Sequence, residues 1–213
     1  MRSWLPRVYP ILDSSVIRAV GREAFLARIG ALLADAGVSL LEYRNKPGTD
    51  AEVLADARVL RAVMPVGQVK LILDDRVDVA LAAGFDGAHV DAGDLPVQDA
   101  RLLVGPGRIV GTSASGEAHL PEAIASGADY VAFGPVFPTT TKQTSAAPIG
   151  VSGVRRFREI AGPDAVLVAA AGITLETAPK ILAAGADAVA VAAAIFRADD
   201  PAGEFRRWIE LLG

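Results

Sequence analysis

The sequence predicts a single (β/α)8 TIM barrel over residues 1–213, and three observations carry that prediction. Eight short apolar runs alternate with eight stretches of helical periodicity, the order expected of a parallel sheet wrapped by helices. An internal echo supports the count: Asp-Ala-Gly-Val at Gly37, Ala-Ala-Gly-Phe-Asp at Gly84, Ala-Ser-Gly-Ala-Asp at Gly127 and Ala-Ala-Gly-Ala-Asp at Gly185. Each copy falls where a helix closes and an even-numbered strand begins, so the echo is structural and not functional. Third, no glycine-rich dinucleotide fingerprint follows any strand, which places the doubly wound open sheet second.

Taken in order, Val8–Leu12 is the first buried strand and ends at Asp13. Phe25, Leu26, Ile29, Leu32 and Leu33 form the apolar stripe of a helix over Glu23–Ala36, and Gly37 stops it. The strand Val38–Leu41 opens into Glu42-Tyr43-Arg44-Asn45-Lys46, after which Thr49 or Asp50 caps a helix to Val63. Val69–Leu73 is a strand ended by Asp74-Asp75-Arg76, followed by a helix over Val77–Ala83. Gly87–Val90 is the fourth strand, and proline starts the helix Pro96–Leu103. Arg108–Gly111 precedes Thr112-Ser113, and a helix over Glu117–Ser126 leads to the strand Asp129–Phe133. The last units are a helix Val151–Ile160, strand Ala165–Ala169, a helix from a Thr174 cap to Ala184, strand Asp187–Val191 and helix Ala202–Leu212.

Composition excludes several classes. Hydrophobic residues make up 52% and charged residues 22%, the balance of a globular protein. A net charge of -4 argues against nucleic-acid binding through bulk electrostatics. Zero cysteines exclude zinc ribbons, thiolate nucleophiles and disulfide frameworks. Neither a signal peptide nor a membrane span is apparent, so a cytoplasmic location is expected.

A barrel carries its chemistry on the loops after its strands. Those loops supply Glu42, Arg44 and Lys46, then Asp74 and Asp75, then Asp91 and Asp94, then Ser113. After Gly134-Pro135-Val136-Phe137-Pro138 come Thr139, Thr140, Thr141 and Lys142, neutral donors beside one flexible cation, a set suited to phosphate or diphosphate oxygens. Gly172 and the run Ala192–Ala194 follow the last two strands, where barrels commonly bind phosphate through backbone N–H groups. Cations, carboxylates and hydroxyls on one rim point to an anionic substrate with a hard divalent cation. Asp74-Asp75-Arg76 also reads as a helix cap with a local ion pair, Asp94 as a cap before Pro96, and His89 as a core or rim histidine.

These residues carry a resemblance. Along nearly its whole length the chain resembles thiamine phosphate synthase, through Tyr43-Arg44-Asn45-Lys46, Leu71–Arg76, Asp86–Val90 with Asp94, Gly111-Thr112-Ser113, Gly134–Lys142, Gly172-Ile173 and Gly185–Ile195. The resemblance implies a Mg²⁺-dependent, dissociative transfer of a pyrimidinylmethyl group from its diphosphate to the ring nitrogen of a thiazole phosphate. By position, Asp75 and Asp94 would hold Mg²⁺, and Arg44, Lys46, Ser113 and Lys142 would receive the diphosphate. Glu42 and Asp74 would lie beside the pyrimidine, and Tyr43 and Asn45 would be substrate-binding. Thr139, Thr140 and Thr141 would contact the thiazole phosphate, whose phosphate cup would be Gly172 with Ala192 and Ala193. Small-molecule substrates and a possible homo-oligomer complete the expectation.

Departures from the family pattern cluster at the heterocycle ends. Glu42 stands for a usual glutamine, Asp74 for an asparagine, and Asp91-Ala92 for Gly-Gln. Ala171 replaces a glycine, and Ala193 replaces a serine. Amides donate and accept, whereas ionised carboxylates only accept. Alternative readings are a thiazole tautomerase-like isomerase and a non-catalytic paralogue that binds thiamine-related ligands. Mg²⁺-dependent turnover separates them from the synthase.

Overall fold

A computed structural model describes residues 4–17, 21–139 and 146–213. Eight parallel strands close into a barrel in sequence order: β1 (Val8–Asp13), β2 (Leu40–Arg44), β3 (Lys70–Asp74), β4 (Gly87–Val90), β5 (Ile109–Ala114), β6 (Tyr130–Phe133), β7 (Leu167–Ala170) and β8 (Ala188–Val191). β1 pairs with both β2 and β8, Val8 opposite Val189 and Asp13 opposite Arg44, so no sheet edge remains. Among the described residues nine α-helices surround it: α1 (Arg22–Asp35), α2 (Asp50–Val63), α3 (Val77–Ala82), α4 (Val97–Val104), α5 (Leu120–Ala125), α6 (Gly150–Ala161), α7 (Ala178–Ala183), α8 (Ala193–Phe196) and α9 (Pro201–Leu212). The short α8 was not expected from the sequence; it follows β8 directly.

Strand alternation divides the buried residues into two sets. Leu41, Leu71, Leu73, Val110 and Leu167 face outward and join helix residues such as Leu33, Leu60, Phe157 and Trp208 in the larger core. Tyr9, Leu40, Ile72, Ile109, Tyr130, Val168 and Ala188 form a second cluster that no helix residue enters, the filling of the barrel itself. Each large apolar side chain fully buried this way contributes about 1.5–3 kcal/mol, so packing, not helix propensity, holds short helices such as α3 and α7.

The repeated Ala-Gly-x-Asp motif has a mechanical meaning. Asp86 Oδ2 accepts the backbone N–H of Leu71 (2.9 Å) and an N–H of Arg61 from α2 (2.8 Å). Asp187 repeats this with Leu167 N (2.8 Å) and Arg158 of α6 (2.5 Å), and Asp129 with Val110 N (2.8 Å) and Arg101 of α4. Each arginine also donates to carbonyls at the end of its own helix, such as Met64 O at 2.9 Å from Arg61. The three staples tie helix, odd strand and even strand together at the barrel's base. At the corresponding position of the first copy stands Ser39.

Several boundaries differ from the sequence reading. β2 runs to Arg44 and β5 to Ala114, so Glu42, Tyr43, Arg44, Thr112 and Ser113 are strand residues rather than loop residues. Parallel pairing with β1 and β3 continues the strand past its apolar run. Thr174 does not cap a helix; it forms a hydrogen-bonded turn with Thr177, and α7 starts at Ala178. Thr49 is the cap of α2, in a reciprocal capping box with Glu52.

Candidate active site at the mouth of the barrel

Inward-facing positions at the carboxyl ends of β1 to β3 carry an alternating row of charge. Arg44 pairs with Asp13 through Nη1, and its Nε lies 3.2 Å from Asp74 Oδ2. Lys46 Nζ sits 2.5 Å from both oxygens of Asp75 and 3.3 Å from Asp74 Oδ2. Asp74 is buried, and burial raises its pKa. Its Oδ2 makes no well-formed hydrogen bond among the described residues. Asp75 adopts a left-handed φ of 64°, a conformation that costs a non-glycine residue energy. Its N–H donates to His89 O at 2.8 Å, which anchors the turn.

Neither aspartate acts as a helix cap. α3 has no side-chain cap, and Arg76 pairs with Asp50 and Asp78 instead. Asp94 Oδ2 accepts the Asp91 N–H at 2.8 Å. Partial burial raises the Asp94 carboxyl pKa, and the facing Asp75 carboxylate raises it further. Asp94, whose charge the facing Asp75 disfavours, and Asp75, against which an ammonium is held, form a donor set a divalent cation would stabilise. Among the described residues no group of three or more His, Cys, Asp or Glu is arranged for a metal. A cation here would therefore rest on Asp75 and Asp94 and fill its remaining positions with water and substrate oxygens, which is how Mg²⁺ binds.

Below the rim runs a buried chain of polar groups. Tyr9 OH donates to Glu42 Oε2 and lies 3.0 Å from Tyr130 OH, which lies 2.9 Å from His89 Nδ1. His89 Nε2 reaches Ser113 Oγ at 2.9 Å and Asp91 Oδ1 at 3.3 Å. Burial pushes the Glu42 carboxyl up to about 8; His89 opposes that shift while Asp74 and Asp91 add to it. His89 is raised to about 9: burial alone would lower it, but the hydrogen bond to Asp91 and the charges of Glu42, Asp91 and Asp74 prevail. Ser113 is thus the rim end of a chain anchored in the barrel's filling.

The far side of the mouth is built from backbone and space. A cavity of about 360 Å³ is lined by Asp13, Arg44, Thr139, Ala171, Gly172 and the segment Ala190–Ala194, among others. Gly172 has φ 69°, and a Cβ there would stand 2.6 Å from Pro138 O and 2.7 Å from Phe137 C. Ala171 is also left-handed, at φ 73°, where glycine would be unstrained. A second cavity of about 440 Å³ shares Thr139, Ala170 and Ala171 with the first, and Ser113 and Asp91 line it. A third, about 510 Å³, continues from Asp91 and Ser113 to Asp94. The first two adjoin through Thr139, Ala170 and Ala171, and the last two through Asp91, Ala92, Ser113 and Ser115, so the cavities follow one another from Gly172 to Asp94.

Two expected site residues are elsewhere. Tyr43 points outward into the helices, where its hydroxyl contacts Asp56 and Arg22; alternation along β2 turns it away whenever Glu42 and Arg44 face in. Asn45 also turns to Asp56, at 3.5 Å, and packs beneath Gly48. Thr140, Thr141 and Lys142 lie outside the described residues. Thr139 lines both of the adjoining cavities. Asp13 was not foreseen; a lone aspartate at a strand end gives no signal until Arg44 is seen beside it.

Fold and site together define a (β/α)8 barrel whose mouth gathers paired charges beside a cavity closed by Gly172. The comparisons agree with that class. The family model for thiamine monophosphate synthase matches residues 8–195, and the chain belongs to this family. The thiamine-phosphate synthase of Koribacter versatilis is 41% identical over 189 residues, 89% of this chain and 88% of that one. That of Chloroflexus aurantiacus is 38% identical over 196 residues, 91% and 87% of the two chains. The solved thiamine phosphate pyrophosphorylase from Pyrococcus furiosus superimposes with a TM-score of 0.79 at 29% identity, over 97% of each chain.

Proposed function

We propose that this chain is a thiamine phosphate synthase. It joins the aminopyrimidine of hydroxymethylpyrimidine diphosphate to the ring nitrogen of hydroxyethylthiazole phosphate. The C–O bond to diphosphate breaks first, and the diphosphate leaves with the electron pair. The thiazole nitrogen then captures the pyrimidinylmethyl cation to give thiamine phosphate. The observation that carries this reading is the gathering, at one end of the barrel, of the facing Asp75 and Asp94 carboxylates, Lys46 against Asp75, and Arg44 at the wall of the cavity that Gly172 lines.

Asp75 and Asp94 are the residues that would hold Mg²⁺, which, when bound, neutralises charge on the leaving diphosphate. Arg44, Lys46 and Ser113 bind diphosphate oxygens, and Lys142 takes the same task from the loop after β6. Gly172, Ala192 and Ala193 receive the thiazole phosphate through backbone N–H groups, and Thr139, Thr140 and Thr141 are the residues that would contact that ligand. Alignment of the two partners and stabilisation of the leaving group supply the acceleration; no strong base is required. The carboxylates at the two amide positions fit this reading. Arg44 and Lys46 flank Asp74, and Glu42 favours its neutral acid, which donates and accepts as an amide does. One barrel domain, small-molecule substrates and a cytoplasmic setting complete the proposal; no helix of the described residues is long and apolar enough to cross a membrane.

The test is product formation from the pyrimidine diphosphate and thiazole phosphate, with Mg²⁺ and with chelator. Thiamine phosphate formed only with Mg²⁺ establishes the synthase. Metal-independent isomerisation of a thiazole substrate would replace it with a tautomerase, and silence from the folded protein would leave a binding paralogue.

A further inference from the structure

The carboxylate at the end of β1 has no part in the reading above, yet it is the most constrained acid of the mouth. Asp13 is buried, at 5% exposure. Its Oδ1 accepts the Ser15 N–H at 2.9 Å and so closes the turn Ser14–Val16, while Oδ2 receives Nη1 of Arg44. Despite a burial that acts to raise it, the Asp13 carboxyl is held below its ordinary range by the Ser15 and Arg44 contacts. It is therefore an anion with both oxygens committed.

Arg44 is consequently held at two different nitrogens. Nη1 is taken by Asp13, and Nε faces Asp74 Oδ2 at 3.2 Å. Nη2 makes no hydrogen bond among the described residues. Two anchors at separate points fix the plane of a guanidinium, whose donors otherwise swing with a long flexible side chain. Asp13 and Arg44 line the same cavity, so the fixed group stands at its wall.

We propose that Asp13 is a positioning residue: it orients the Arg44 guanidinium in advance, leaving Nη2 as a preformed donor for the diphosphate. A free arginine would have to be ordered by the ligand at the ligand's expense, whereas this one is ordered by folding. The pairing also explains why an extra carboxylate is tolerated beside an anion site, because its charge is spent on the receptor. Asp13 touches no reacting atom in this scheme and acts only through Arg44. The inference rests on Arg44 being a diphosphate ligand, and the experiment separates the two.

Inorganic diphosphate with Mg²⁺ is titrated calorimetrically into the full chain, Arg44→Ala, Asp13→Ala, Asp13→Asn and the double variant Asp13→Ala/Arg44→Ala. Arg44→Ala is expected to weaken diphosphate about tenfold or more, the scale of a lost charge-assisted bond. Asp13→Ala should weaken it by about tenfold in the native background and by nothing further once Arg44 is gone. In turnover, Asp13→Ala should raise KM for the pyrimidine diphosphate more than KM for the thiazole phosphate, whose cavity Asp13 and Arg44 also line. Equal losses in both backgrounds, or an affinity for diphosphate that is unchanged or tighter in Asp13→Ala, would overturn the role of Asp13 alone. Native affinity in Arg44→Ala would overturn the assignment of Arg44 and with it this inference. Asp13→Asn retains an acceptor for Ser15, so it carries the same comparison if Asp13→Ala does not fold.

Discussion

Along the mouth, the arc from β2 to β4 and the arc from β7 to β8, the two proposed receivers of phosphorylated groups, are built from opposite materials. The first arc uses side chains: Arg44, Lys46, Asp74, Asp75 and Asp94 stand within ion-pairing or carboxylate–carboxylate contact. The second uses backbone: Ala171 and Gly172 are both left-handed, and Ala192 and Ala193 leave room where side chains would intrude. The contrast teaches where substitutions are cheap. A paired charge that loses its partner leaves the other stranded, whereas a cup made of peptide groups changes only when its backbone or volume changes.

The largest expected effect breaks the charged arc alone. Asp75→Asn should abolish metal-dependent turnover and weaken Mg²⁺ by more than the ~100-fold that an outer-shell partner typically costs. Unfolding temperature and titration calorimetry check it, and a folded variant with native Mg²⁺ affinity would remove Asp75 from the metal site. Next, Gly172→Ala should strike the cup alone. Its Cβ meets the Pro138 carbonyl at 2.6 Å at a positive φ, so the loop must move. A KM for thiazole phosphate raised on the order of tenfold is expected, with Mg²⁺ affinity unchanged, if about one charge-assisted bond is lost.

Glu42 lies beneath both arcs, and its test reads pH. Its carboxyl titrates near 8 in the folded protein against an ordinary 4.5, so between these values the folded state holds the additional proton. Stability attributable to Glu42 is therefore full below pH 4.5 and is lost as pH rises toward 8. His89, raised from 6.5 to about 9, adds a loss of the same sign from pH 6.5 to 9. Denaturation midpoints measured from pH 5 to 9, roughly the span of these shifts, should fall less steeply in Glu42→Gln below pH 6.5 and keep a reduced His89 part above it, because the Glu42 charge is one cause of the His89 shift. Identical slopes in both proteins would mean that Glu42 is ionised throughout. The smallest effect expected is a gain. Ala171→Gly should relieve a left-handed alanine and stabilise the barrel by about 1 kcal/mol, raising Tm by roughly 2–4 °C, with turnover unchanged.

Much of this architecture was legible in the residues because it is periodic. Strand alternation, helical stripes and the Ala-Gly-x-Asp echo all repeat within short windows, so each of the eight strands was placed to within a few residues. The charged arc was legible too, since Arg44, Lys46, Asp75 and Asp94 follow consecutive strands. Tyr43 and Asn45 were misplaced because a motif was carried over as a block, when period-two alternation already turned Tyr43 outward. The chain Glu42–Tyr9–Tyr130–His89 was invisible for a different reason. Its members lie 33, 121 and 41 positions apart, and only barrel closure brings their hydroxyls together. The clasp of Asp13 on Arg44 needs only the pairing of β1 with β2, which sets the two residues side by side.

The pairing of β1 with β8 has a consequence for how the protein comes off the ribosome. Each aspartate staple joins elements that are neighbours in sequence, so it can form soon after its even strand has emerged. The charged arc, confined to β2 through β4, is likewise drawn from the first half of the chain. The cup is not: Asp13 and Ala192 line one wall, and they meet only after the final strand has been made. A nascent chain stalled before β8 would carry the carboxylates for a metal but have no seat for the second substrate.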